Sequence, residues 1–165
     1  MVNDTQVLNN GYPMPSIGLG VYKITDEDME NVVNTAIETG YRAFDTAYFY
    51  GNEVALGKAL QNSGVDREDL FITSKLWNDY QGYDNTIEYF NQSLENLGLD
   101  YIDLFLIHWP CEKDGLYIES YKALEKLYDE GKVKAIGVCN FKQHHLEKLM
   151  EETEAVSYTH LRAHE

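Results

Sequence analysis

Hydrophobic positions along the chain alternate between two kinds of segment. Short runs rich in Val, Ile, Leu and Phe (YRAFDTA, DLFITSKL, YIDLFLIHW and KVKAIGVCN) begin near residues 41, 69, 101 and 132, about 30 residues apart. Runs that are apolar on both faces predict strands covered on both sides. Between them the apolar residues recur at helical spacing. In TDEDMENVVNTAIETG, Met29, Val32, Val33, Ala36 and Ile37 fall at i, i+3, i+4, i+7 and i+8, with Thr25 placed to cap the start and Gly40 the end. Ile87, Phe90, Leu94 and Leu97 trace a second face, and YIESYKALEKLYDEG a third. Ahead of these, Asn10-Gly11 sits between candidate strand residues and predicts a tight N-terminal hairpin. Strands separated by single helices predict βαβ units and a parallel sheet, so the class is α/β.

Two parallel architectures compete, the open doubly wound sheet and the closed barrel. The dinucleotide fingerprint GxGxxG has one candidate, Gly18 to Lys23, with Lys23 where the third glycine belongs. No GxxxxGK[ST] loop is present. Polar residues instead mark strand ends: Asp45 after AF, Lys75 after FITS, His108 after LFLI. In a βα barrel those ends form one opening, which favours the barrel.

Composition narrows the possibilities. The 165 residues, 44% hydrophobic, suffice for one core. A net charge of −15 argues against a nucleic-acid or anionic-membrane surface, which draws on clustered Lys and Arg. The N-terminus MVNDTQVLNN lacks a basic segment followed by an apolar run, and the longest apolar stretch, IDLFLIHW, is too short to span a bilayer. A cytoplasmic location is the expectation. Cys111 and Cys139 form no CxxC and are expected as reduced thiols.

The strand-end residues suggest chemistry. Asp45, Tyr50, Lys75 and His108 supply a carboxylate, a phenol, an ammonium and an imidazole at consecutive predicted strand ends. A phenol is a poor proton donor at neutral pH; a nearby ammonium eases loss of its proton, and a carboxylate can hold that ammonium. Such a set suits proton donation to a carbonyl oxygen. Taken singly, each has an ordinary structural reading: Asp45 as a helix cap, Lys75 as a surface cation, His108 as a satisfied buried imidazole.

The segments GLGVYK, FDTAYFYGNE, TSKLW, LFLIHWP and KVKAIGVCNF, in this order, resemble the aldo-keto reductase superfamily. The resemblance runs from about residue 5 to residue 154. It implies a (β/α)8 TIM barrel and NAD(P)H-dependent reduction of aldehydes and ketones, with NADPH the expected cofactor and NADH left open. It places the catalytic set on Asp45, Tyr50, Lys75 and His108, with Tyr50 as proton donor and His108 orienting the carbonyl. The phenol at Tyr48 is set aside because the family's tyrosine directly precedes Gly-Asn-Glu, here Gly51-Asn52-Glu53. Tyr22, Trp77 and Trp109 match aromatic positions at the substrate mouth, although Trp109 could also be plain core. Gly20, Val21, Asp45, Cys139 and Asn140 match the cofactor side; a cysteine where the family commonly has serine weakens one contact there. The short segment CEKDGL after Pro110 leaves the mouth open and favours small or polar carbonyls such as 2-oxoaldehydes or keto sugars. The full-length protein is expected as a monomer or weak dimer.

A whole barrel needs about 250 residues and eight βα units, of which about five are expected here. Residues 1–154 are read as a partial barrel and 155–165, AVSYTHLRAHE, as a foreign or disordered tail. His160 and His164 at i, i+4 spacing and the adjacent pair His144-His145 lack a companion carboxylate motif, so no metal site is expected. An open five-stranded sheet leaves its edges unpaired, so the chain alone is expected to be inactive, unstable or self-associating. A cofactor-binding regulatory subunit of the same fold and a non-functional fragment are the alternative readings.

Overall fold

The computed structural model describes residues 4–153; the tail, with His160 and His164, lies outside them. The chain begins with a hairpin of β1 (Thr5–Val7) and β2 (Pro13–Pro15). The predicted hairpin is present, with its turn one residue earlier than Asn10-Gly11: the Gly11 N–H donates to the Leu8 carbonyl at 2.8 Å across Asn9 and Asn10, and Gly11 follows at φ +84°. Five βα units follow. They are β3 (Leu19–Gly20) and α1 (Asp26–Glu38), β4 (Ala43–Asp45) and α2 (Glu53–Asn62), β5 (Phe71–Leu76) and α3 (Tyr83–Leu97), β6 (Ile102–Ile107) and α4 (Tyr117–Asp129), and β7 (Val133–Val138) and α5 (Gln143–Glu152). The four apolar runs of the sequence are β4 to β7. The first strand, β3, escapes a periodicity reading because it holds only two residues.

The sheet order is β3-β4-β5-β6-β7, every pair parallel. A doubly wound sheet reverses its strand order at a switch point. This one advances in a single direction, the winding of a βα barrel. At the start of α1 the Thr25 hydroxyl accepts the Asp28 N–H, and Gly40 follows its C-cap at φ +98°.

Two apolar clusters divide the strands. Phe44, Ile72, Phe105 and Ile107 join Met29, Val33, Leu56, Phe90 and Leu124 in the layer between sheet and helices. Ala43, Phe71, Leu104, Leu106, Ala135 and Cys139 form the opposite, inner face together with Leu8, Tyr12 and Met14. The hairpin therefore covers the inner face. Polar bonds pin it at the N-terminal ends of the strands. The Tyr12 hydroxyl donates to Asp103 at 2.7 Å, and Asp103 also accepts from Arg67 at 2.6 Å and from the Ile72 N–H at 2.8 Å. Asn10 donates to the Lys134 carbonyl at 2.8 Å. Burial and the bond to Asp103 push the Tyr12 phenol above its ordinary range. With that end closed, the C-terminal ends of the strands are left for a site.

Gly57 sets the approach of α2 to α3. A Cβ there would lie 2.2 Å from the Leu97 carbonyl oxygen, a backbone atom that cannot swing aside. Gly57→Ala is expected to lower stability by about 3 kcal/mol, read as a lower midpoint in chemical denaturation; an unchanged midpoint would show that the helix pair is free to separate.

Candidate active site

Strand parity assembles the site. Side chains alternate between faces along a strand, so Asp45 shares the inner face with Ala43, Lys75 with Phe71 and Thr73, and His108 continues the row of Leu104 and Leu106. The register carries these ends to one level: Asp45 lies opposite Thr73, Lys75 opposite Leu106, and the His108 N–H donates to the Leu76 carbonyl at 3.1 Å.

Lys75 is 1% exposed. Its Nζ donates to Asp45 Oδ1 at 2.5 Å and to the Thr46 carbonyl at 2.9 Å. Lys75 is therefore not a surface cation, and Asp45 is not a helix cap; the cap residues nearby are Thr25 and Asn52. Burial raises the Asp45 carboxyl from its usual range, and the ammonium of Lys75 pulls it back.

Residues Tyr48–Tyr50 form a single 3-10 turn that ends at Gly51, φ +69°. The turn points its rings apart. Tyr48 packs edge-on against Tyr80 and Tyr89, at 5.4 and 5.2 Å between centroids. Tyr50 faces the strand ends: its centroid is 5.2 Å from Lys75 Nζ, 5.9 Å from the His108 ring and 4.8 Å from Tyr22. The geometry thus separates the two phenols.

His108 is buried, and among the described residues its Nδ1 has no hydrogen-bond partner. It is not a satisfied core imidazole. Burial first, and the Lys75 ammonium second, push its pKa down to about 4, so the ring is neutral at pH 7. Trp77 meets it edge-on at 5.4 Å. Phe49, which the sequence reading passed over, stacks on Trp77 at 3.8 Å with 17° between the planes. Tyr22, Phe49 and Trp109 are each more than two-fifths exposed, so Trp109 is not core. Together they wall the opening.

The residues expected on the cofactor side separate. Gly20 is open: a Cβ there would meet nothing within 4 Å. Val21 is fully buried, its N–H spent on the Asp45 carbonyl at 3.0 Å and its carbonyl on Asn52, so it offers a ligand no polar group. Cys139 is buried, while Asn140 is exposed in the left-handed region at φ +61°. Asn140 donates through Nδ2 to the His108 carbonyl at 2.9 Å and to Cys139 Sγ at 3.3 Å.

Residues 16–160 match the Aldo/keto reductase family. The chain belongs to that family. It is 52% identical over 154 residues to glyoxal reductase of Bacillus subtilis (strain 168), covering 93% of this chain and 55% of that one. It is 48% identical to methylglyoxal reductase DkgA of Escherichia coli O157:H7, with the same coverage of each. A crystal structure of a Gox0644 variant in complex with NADPH superposes with a TM-score of 0.89 at 41% identity, covering 95% of this chain and 56% of that one. The chain spans about half the length of the relatives it matches.

Glu53, named in the sequence only as part of the Gly-Asn-Glu pattern, proves to be a structural tie. Glu53, 2% exposed, accepts from the Ser74 hydroxyl at 2.6 Å and from Asn96 at 2.9 Å, tying α2 to β5 and α3. The pair His144-His145, without a carboxylate motif in sequence, has a carboxylate neighbour in space. Glu112, 32 residues before His144, reaches both His144 and His145, and one ligand atom from each of the three lies within 4.8 Å of the others. However, His145 Nδ1 accepts the Lys142 N–H at 2.9 Å, which leaves the ring proton on Nε2, facing Glu112. A metal would need that lone pair free. The cluster as it stands is a hydrogen-bonded tie between the loop after β6 and the first turn of α5.

The lowered pKa of His108 makes a stability prediction. The unfolded chain takes up this proton near pH 6.5 and the folded chain only near pH 4. Stability is therefore whole above pH 6.5 and falls as pH drops toward 4, by up to about 3 kcal/mol. His108→Gln should flatten this part of the stability curve, measured by denaturation at stepped pH; parallel curves for both proteins would show that the imidazole is free to protonate in the fold.

Proposed function

We propose that this aldo/keto reductase chain carries the proton-transfer set of an NADPH-dependent reductase of small aldehydes and ketones, 2-oxoaldehydes foremost. The observation that carries the reading is the buried Lys75 ammonium, paired with Asp45 and held 5.2 Å from the centre of the Tyr50 ring, beside an imidazole that is neutral at pH 7. The Tyr50 hydroxyl gives its proton to the carbonyl oxygen. The Lys75 ammonium favours the phenolate left behind, and Asp45 keeps that ammonium in place. Neutral His108 keeps one ring N–H to offer the same oxygen as it gains charge. Tyr22, Phe49, Trp77 and Trp109 wall the opening and exclude water, which strengthens those polar interactions.

NADPH, when bound, supplies the hydride. The residues present fit such a group in part. Gly20 leaves open backbone at the mouth, and the side-chain oxygen of Asn140 accepts from no described residue and suits a carboxamide. Val21 offers a ligand no polar group, since its N–H and carbonyl are bonded to Asp45 and Asn52. A 2-oxoaldehyde fits the short loop after Pro110, and the relatives named for glyoxal and methylglyoxal reduction support that choice.

The test is NADPH consumption with methylglyoxal. It compares the chain as it stands with the chain joined to the C-terminal part of the Bacillus subtilis glyoxal reductase. The joined protein is expected to turn over and the shorter chain to be inactive. Tyr50→Phe should cost the joined protein roughly a hundredfold or more in kcat, and Tyr48→Phe less than about threefold. Full activity in Tyr50→Phe, or none in the joined protein with any small carbonyl, would sink the reading.

A further inference from the structure

Asn52 is the N-cap residue of α2, where asparagine ordinarily turns its side chain onto an N–H of the first helical turn. It makes no such bond here. Instead the side chain, 3% exposed, points back toward the strand ends. Its Oδ1 accepts from the Thr46 hydroxyl at 2.8 Å; its Nδ2 donates to the Val21 carbonyl at 2.9 Å and to the Ile24 carbonyl at 3.4 Å. A local cap has been forgone for three bonds to other segments.

Those bonds converge on one dipeptide. Both acceptors of the Lys75 ammonium belong to it: the Asp45 carboxylate and the Thr46 carbonyl. Asn52 holds Thr46 directly through its hydroxyl. It holds Asp45 through Val21, whose N–H donates to the Asp45 carbonyl at 3.0 Å. The Thr46 N–H is itself bonded to the Thr73 carbonyl at 2.9 Å, on the strand that bears Lys75.

We propose that Asn52 is a positioning residue for Lys75, acting through Thr46: it fixes the carbonyl that, with Asp45, receives the buried ammonium. The proposal rests on the reading of Lys75 as part of a reductive site. Asn52 touches neither the carbonyl substrate nor Tyr50 in this account. Its effect is on where the ammonium sits beneath the phenol.

The test uses Thr46, because Thr46→Val removes the hydroxyl while keeping the side-chain shape and the backbone carbonyl. Thr46→Ser restores the hydroxyl. Thr86→Val is the control, since it removes another fully buried hydroxyl, one bonded to the carbonyl of Gly82 at the start of α3 and not to Asp45, Thr46 or Lys75. In the joined protein, Thr46→Val should lower kcat roughly tenfold to a hundredfold while KM for NADPH stays within about twofold. In the same joined protein, the Lys75 ammonium protons, followed by nitrogen NMR, should exchange with water roughly tenfold faster in Thr46→Val. Thr46→Ser should return both readouts to wild type, and Thr86→Val should move neither. Wild-type kcat and exchange in Thr46→Val would overturn the proposal, as would an equal loss in Thr86→Val. Faster Lys75 exchange in Thr46→Val alone, from a joined protein that reduces no carbonyl, would uphold the positioning role and overturn the reductive reading.

Discussion

An ammonium in a strand interior must be met or it destabilises the fold, because desolvating a charge costs several kcal/mol even after local relaxation. Lys75 imposes this condition here. Every residue of β5 is buried, so the side chain cannot escape to water. Its partners have to come from the neighbouring strand, and they do: Asp45 is the last residue of β4 and the Thr46 carbonyl stands just beyond it. That requirement fixes the register of β4 on β5, the point where β4 stops, and the turn at 48–50 that swings Tyr50 back over the ammonium.

The same inner face serves two purposes along its length. Reading β5 from its start gives Phe71, Thr73 and Lys75; reading β6 and the residue beyond it gives Leu104, Leu106 and His108. Apolar side chains at one end meet Leu8, Tyr12 and Met14 of the hairpin, and polar ones gather at the other. The closed end has its own buried carboxylate, Asp103, saturated by Tyr12, Arg67 and a strand N–H. The two acids thus have opposite surroundings. Asp103 is locked among donors that stay put, while Asp45 keeps 37% of its side chain exposed beside a solvent-facing mouth.

How much of this could be read beforehand follows from the physics of each feature. Strand and helix faces were legible because burial imposes a period on neighbouring residues, as in Met29, Val33 and Ala36. Asp45, Lys75 and His108 were legible as polar residues interrupting apolar runs at strand ends. The choice of Tyr50 over Tyr48 came from the family pattern; in the fold the 3-10 turn points the two rings to different places, Tyr48 toward Tyr80 and Tyr89 and Tyr50 toward Lys75 and His108. Strand β3 was missed because two residues have no period. Thr46, Asn52 and Glu53 lie inside the family segment, but their bonds and the Glu112 tie were not legible, because the partners lie from 6 to 43 residues away and only the finished fold brings them into reach. Val21 was placed by its position in a motif; its burial depends on α1 and α2 packing over it, which a linear pattern does not express.

The charge state of His108 closes the electrostatic argument. A second cation beside Lys75 would add repulsion in a poorly solvated site and would place a full positive charge against the ring of Tyr50. The structure avoids this with the groups it already has: burial disfavours the imidazolium, and the field of the Lys75 ammonium disfavours it further. In the proposed reduction that ammonium therefore acts in two directions. It favours the charged form of Tyr50 after proton transfer and the uncharged form of His108 throughout. Both effects depend on distance, and Lys75 is held in place by a carboxylate and a carbonyl. The precision of the site thus rests less on the four side chains named by the motif than on the backbone at residues 45 and 46, and on whatever holds that backbone still.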